Sequence, residues 1–317
     1  MNEHFIREIE IKNFKCFKDF KADGFGRVNL IGGKNNVGKT AFMEAIGINT
    51  HAIDIESLFS AIVFINFQRN KLENSNIDNP KELFEKTSQY YSKSNIREVG
   101  FSIIRGYGKV EYSFKIDGRE IILNANEFSY QINKIDNIYF IDNFGFSNFW
   151  LKEVYISVQR KDKEEILNSY INQFDPTIEK FKIFDNSPEC RLKDSKEYRD
   201  INEFGGGLKQ FVSIISALYA CENGYLFIDE IDNGIHYSKL DLLLEIILTI
   251  SKQQNVQLFA TTHSKECIES YARVAKKLKD KDTKFIKLTK LENRGVIAGV
   301  RDYDMLQYVL EDGHEVR

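Results

Sequence analysis

Cysteine, histidine, proline and tryptophan are all scarce in this chain of 317 residues, with four, five, three and one respectively. Cys16, Cys190, Cys221 and Cys267 form no C-x-x-C pair, which excludes a zinc ribbon and a disulfide framework and leaves reduced thiols as the expectation. His4, His51, His236, His263 and His314 are the whole imidazole supply, too few and too scattered for a second, histidine-based nuclease centre. So few prolines, with 42% hydrophobic and 29% charged residues, describe a globular chain that is neither disordered nor collagenous. No apolar run reaches the roughly 20 residues of a spanning helix. The opening Met-Asn-Glu-His-Phe-Ile-Arg has neither a basic nor an apolar signal region, so a cytoplasmic protein without a membrane partner is expected. Charge of one sign is missing too: 44 basic residues against 47 acidic ones give a net charge of -3. That excludes a global field for nucleic acid and leaves only a local basic face.

Ile9 and Ile11 alternate with Glu8, Glu10 and Lys12, the period of a strand, and a second apolar run at 28–31 ends at Gly32-Gly33. Phe42, Met43 and Ile46 then recur at helical spacing, so strand, glycine loop and helix follow in order. The loop itself, Gly33-Lys34-Asn35-Asn36-Val37-Gly38-Lys39-Thr40, fits G-x-x-x-x-G-K-[ST]. Its backbone amides are suited to surround phosphates, Lys39 to reach the β/γ oxygens and Thr40 to bind Mg²⁺. Gly33 and Gly38 permit a backbone approach that a Cβ would block. By composition such a match arises in roughly one unrelated chain of this length in a hundred, before the flanking strand and helix are required.

The residues from about 51 to 200 are rich in Asn, Lys, Phe and Tyr, with no repeat and no sustained heptad. Val110, Tyr112, Phe114 and Ile116 alternate with polar residues up to Asp117-Gly118, which predicts a hairpin over 110–123. Helices are predicted near 81–91 and 161–174, the second stopped by Asp175-Pro176. After Gly205 the spacing predicts a helix at 211–219, a strand at 225–228, a helix at 239–250 and a strand at 256–260. Strands alternating with helices imply a parallel sheet. A hairpin over 285–291 and 296–300 and a helix from Asp304 close the pattern. The strand Tyr225-Leu226-Phe227-Ile228 delivers Asp229 and Glu230 to its C-terminal end, where ligands sit in parallel sheets. Asp229 suits Mg²⁺, directly or through water, and Glu230 suits the polarisation of an attacking water.

Together these motifs resemble the ABC-type ATPase heads of the branch that includes SMC proteins and OLD-family ATPases. Asp229-Glu230-Ile231-Asp232-Asn233-Gly234-Ile235-His236 resembles the Walker B and D-loop. Phe204-Gly205-Gly206-Gly207-Leu208-Lys209-Gln210 resembles the signature loop, without the transporter Ser and with Gly206 where many relatives carry Asp. Thr261-Thr262-His263-Ser264 resembles the H-loop. The resemblance implies an α/β P-loop NTPase fold, an ABC-ATPase-like head with a mixed central sheet flanked by helices. Residues 1–50 and 200–317 would form the head, and 51–199 an inserted β-hairpin and helical lid or arm.

It implies ATP and Mg²⁺ as cofactors. Gly33, Asn35, Asn36, Val37, Gly38, Lys39, Thr40 and Ala41 would hold the phosphates, with Lys15 nearby and Gly205, Gly206 and Gly207 serving a second protomer. Thr40, Asp229 and Gln68 would serve the metal, Gln68 as the Q-loop residue. Glu230, Lys39 and His263 would be catalytic, with His263 donating to the γ-phosphate. The implied function is an ATP-driven switch, dimeric or of higher homo-oligomeric order through ATP-sandwiched heads, that controls a separate effector, a nuclease or toxin. It is similar to the stand-alone ATPase subunits of anti-phage systems of the PARIS and Septu types. The alternative is an SMC-like DNA-repair or DNA-binding ATPase, with DNA as partner, although no coiled-coil arms are visible. A transporter subunit would show the signature Ser, and a non-enzymatic scaffold would lack Glu230. The stretch after the H-loop is too short for a Toprim nuclease domain.

Overall fold

A computed structural model describes residues 4–51, 98–105, 108–117, 120–127 and 137–312. Gln68 and the helix predicted at 81–91 lie outside the described residues. The chain divides into two compact units, Met1–Gly26, Gly33–Asp136 and Ile286–Val300 forming one, and Arg27–Gly32, Asn137–Phe285 and Arg301–Arg317 the other.

In the first unit, strands β1 (Ile6–Phe14), β2 (Phe17–Asp23), β4 (Glu98–Arg105), β5 (Gly108–Asp117) and β6 (Glu120–Glu127) form a sheet in the order β2-β1-β4-β5-β6. Every pairing in it is antiparallel. The hairpin expected over 110–123 is β5 with β6, closing where Asp117 faces Glu120. The β1–β2 turn is tight, with Asn13 at φ 55° and Lys15 at φ 52°, left-handed positions that Asn tolerates better than Lys. Helix α1 (Lys39–His51) buries Phe42 among Phe17, Phe20 and Phe25, with ring centroids 6.3, 5.3 and 6.1 Å away. Those aromatic contacts fix the helix that follows the glycine loop to the N-terminal hairpin.

The second unit is built on parallel strands β3 (Val28–Gly32), β12 (Gln257–Thr261), β11 (Tyr225–Ile228) and β7 (Ile138–Ile141), paired in that order. Strand β13 (Thr283–Leu291) begins in this unit and, with β14 (Gly295–Arg301), extends the order to β14-β13-β3-β12-β11-β7. The result is a mixed central sheet flanked by helices, as the sequence implies. β3, β11 and β12 are continuously buried because parallel strands are covered on both faces. Phe227 stacks between Phe140 and Phe259 at 6.2 and 5.8 Å.

Helices α2 (Asn148–Arg160), α3 (Glu164–Phe174), α4 (Gly206–Ala220), α5 (Leu240–Gln253), α6 (Lys265–Leu278) and α7 (Tyr303–Glu311) belong to the same unit. So does a small antiparallel sheet, in the order β10 (Tyr198–Asp200), β9 (Ser187–Leu192), β8 (Ile178–Phe184). α4 is buried almost all round, which its small and apolar residues permit. Among the described residues no helix is long and apolar enough to cross a membrane.

Candidate nucleotide site

The loop 33–40 is shaped by its two glycines. Gly33 has φ +143°, and a Cβ there would lie 2.5 Å from the Leu288 carbonyl oxygen. Gly38 has φ +108°, and a Cβ would lie 2.4 Å from Cys16 Sγ. Either substitution forces backbone or a packed side chain to move, so the loop conformation belongs to these glycines. Asn36 is left-handed at φ 59°, and Lys34, Asn35 and Asn36 are exposed while Val37 and Ala41 are buried. Phe42 N donates to Gly38 O at 2.8 Å, the start of the α1 ladder, so the amides just before it make up the positive helix end. Lys39 is buried and its Nζ donates to Gly33 O at 2.7 Å and to Lys34 O at 3.1 Å. The ammonium is therefore held inside the loop rather than extended into solvent. Thr40, half-buried, follows it on the first turn. Lys15, expected near the nucleotide, forms an ion pair with the buried Glu44 of α1. Glu44 was not legible as a partner, because nothing local links it to Lys15.

The second unit assembles the carboxylates. Parallel β3, β12, β11 and β7 end at one sheet edge, at Gly32, Thr261, Ile228 and Ile141, and Thr262 N donates to Ile31 O at 3.0 Å. Asp229 N donates to Ile141 O at 2.8 Å. The Thr261 hydroxyl donates to Asp229 Oδ1 at 2.6 Å and accepts from Glu230 N at 2.8 Å. Glu230 is left-handed, φ 51°, a conformation that a non-glycine residue adopts at some cost and that collects at functional sites. Its Oε1 lies 3.2 Å from His263 Nε2, with both side chains about two-fifths exposed, at 38% and 42%. Thr262 Oγ1 donates to Asp232 Oδ1 at 2.6 Å and accepts from Ser264 N at 3.1 Å. The sequence places both threonines in the H-loop motif without giving either a role, and it gives no sign of Asp142, which follows β7 and accepts from Phe144 N at 2.8 Å. Beyond that motif, their signal was position at a strand end.

The triple glycine corrects one expectation. Gly206 and Gly207 are not a loop ahead of the helix but the first residues of α4, and only Gly205, at φ +87°, stands outside it as the cap. The three also differ. A Cβ on Gly207 would lie 2.0 Å from Gly234 O, whereas Gly205 and Gly206 have nothing within 4 Å of theirs. Gly207→Ala is therefore expected to destabilise the fold by about 1–3 kcal/mol through overpacking. Gly206→Ala is expected to leave the urea midpoint unchanged within error, and equal losses at both positions would contradict the distinction.

A G-x-x-x-x-G-K-[ST] loop between a parallel strand and a helix, in a chain whose β11 ends in an Asp-Glu pair, defines a P-loop nucleotide-binding protein. Residues 28–269 match the family described as "AAA domain, putative AbiEii toxin, Type IV TA system", and residues 5–49 match "AAA ATPase domain". The first match covers well over half of the chain, which belongs to that AAA-domain family. The sequence is similar to an "ATP/GTP phosphatase" of Helicobacter pylori, 28% identical over 375 residues that take in 97% of this chain and 98% of the relative. The fold is similar to the SMC head of Thermotoga maritima, at TM-score 0.53 and 14% identity, covering 94% of this chain and 98% of that one. It is also similar to an Smc head bound to the C-winged helix domain of ScpA, at TM-score 0.58 and 14% identity, covering 95% and 99%. The chain thus carries an ATPase domain of AAA type in an SMC-head-like fold.

Proposed function

We propose that the chain is an ATP-hydrolysing switch of the ABC type. The observation that carries this reading is the hydroxyl-braced strand end that presents Asp229 and Glu230, in a chain that also carries a glycine-shaped phosphate loop; the phosphatase name of the Helicobacter relative supports it. Lys39 would neutralise the β/γ-phosphate oxygens while the loop amides orient them. Thr40 and Asp229 would hold Mg²⁺, which when bound supplies electrostatic stabilisation of the phosphate charge. Glu230 Oε1 would accept the proton of the attacking water, and His263 would exchange its contact with Glu230 for one with the γ-phosphate. The open faces of Gly205 and Gly206 suit the nucleotide of a second copy, so ATP would bring heads together.

In this reading residues 51–199 recognise a trigger or partner, and a separate nuclease or toxin is the effector, in anti-phage defence. The test is sedimentation of the full chain with and without ATP and Mg²⁺, in the wild type and in Glu230→Gln. Accumulation of a dimer in the variant with ATP supports the switch, and an unchanged mass in both counts against it. Cleavage of DNA or RNA by the purified chain alone would overturn the separate effector.

A further inference from the structure

We infer that Thr261 is a positioning residue for ATP hydrolysis, one hydroxyl that sets both the metal-side carboxylate Asp229 and the proton-accepting Glu230; this rests on the ATPase reading above. Thr261 ends β12, one strand away from β3, and is 1% exposed. Its single proton goes to Asp229 Oδ1 at 2.6 Å, and its lone pair takes the Glu230 amide at 2.8 Å. A threonine hydroxyl has one donor to give, so its proton is committed to Asp229. The same residue's carbonyl oxygen accepts from Ile231 N at 3.0 Å. Thr261 thus holds the peptide groups on both sides of Glu230, the residue that the chain forces to φ 51°.

A left-handed Glu persists only where its surroundings over-determine it. Thr261 and the bond from Asn233 N to Glu230 O at 2.9 Å supply that determination. Thr262, which follows the strand, cannot substitute, because its hydroxyl proton is spent on Asp232. The consequence is specific to the chemical step. Without the hydroxyl, Asp229 Oδ1 loses this donor and the Glu230 amide loses its acceptor, so the hold on the Asp229 carboxylate weakens and the backbone that aims Glu230 is released on one side. The phosphate-binding groups of 33–40 belong to other elements and keep their own bonds. Misplacement of a catalytic group by about 1 Å costs on the order of 100-fold in rate.

Steady-state ATPase assays of the full chain with Mg²⁺, paired with fluorescent ATP binding and thermal melts, test this in Thr261→Val, Thr261→Ser and Thr261→Cys. Thr261→Val should lower kcat about 10- to 100-fold with KM and nucleotide Kd within about threefold, and Thr261→Ser should restore kcat to within about threefold. If the valine variant does not fold, the cysteine variant decides. Its thiol is a weak donor and acceptor, so kcat should fall between serine and the loss of function. A folded valine or cysteine variant with wild-type kcat, or a serine variant that restores nothing, overturns the inference. A purely structural role would lower the melting temperature and leave kcat intact below it. Wild-type protein that hydrolyses no ATP overturns the ATPase reading itself, and this inference with it.

Discussion

Lys39→Ala is expected to abolish ATP binding, with Kd raised by at least about 100-fold, while Glu230→Gln is expected to bind ATP and hydrolyse it about 10²- to 10⁴-fold more slowly. The two differ because the residues meet different needs. Lys39 is buried with its Nζ on the Gly33 and Lys34 carbonyl oxygens, so alanine removes both the charge proposed to neutralise the phosphates and a donor held inside the loop. In the proposed site that charge stands where a highly charged anion would sit. Glu230→Gln keeps the shape and the backbone bond to Thr261 Oγ1 and removes the charge and the proton-accepting capacity of the carboxylate. Nucleotide binding by fluorescence and phosphate release separate the outcomes. A Lys39→Ala protein that binds ATP normally would place the nucleotide elsewhere, and a fully active Glu230→Gln would remove Glu230 from the reaction.

The strands that deliver this chemistry were readable because burial on both faces leaves them mostly apolar runs: 225–228 is β11 residue for residue, and 28–31, interrupted only by Asn29, is β3 less its last glycine. β7 is equally buried at Ile138, Phe140 and Ile141, but it is four residues long within an Asn- and Lys-rich stretch, and only its pairing with β11 makes it a strand. β2 hides for another reason. Phe17, Phe20 and Ala22 are its buried positions, and the first interval is three, not two. α6 buries Cys267, Ile268, Ser270, Tyr271, Ala272, Val274 and Ala275, a face made largely of small side chains that weigh little in an apolar count. At the site, single motifs were visible because chain neighbours carry them. The contacts between Thr261 and Asp229, and between Lys15 and Glu44, join residues about thirty positions apart, and no local pattern encodes them.

Arg27→Met is expected to cost about 3–5 kcal/mol of stability, the range for removing one partner of a buried ion pair. Arg27 opens the segment that becomes β3 and is 3% exposed. Its guanidinium pairs with Asp280, itself 8% exposed, and donates to Ser251 Oγ and, at 3.2 Å, to Leu248 O at the end of α5. Its backbone is equally committed: N donates to Asp282 O at 2.7 Å, and O accepts from Leu258 N at 2.7 Å. One side chain thus ties the start of β3 to the end of α5 and to the turn before β13. Methionine fills most of the volume but strands the Asp280 carboxylate in the interior. The stranded charge, rather than lost packing, is the main cost, so Arg27→Met with Asp280→Leu should recover most of the loss. Urea denaturation of the single and double variants measures this directly. A single-variant loss below about 1 kcal/mol, or a double variant no more stable than Arg27→Met, would mean that water reaches Asp280 and that the pair contributes no more than a surface ion pair does.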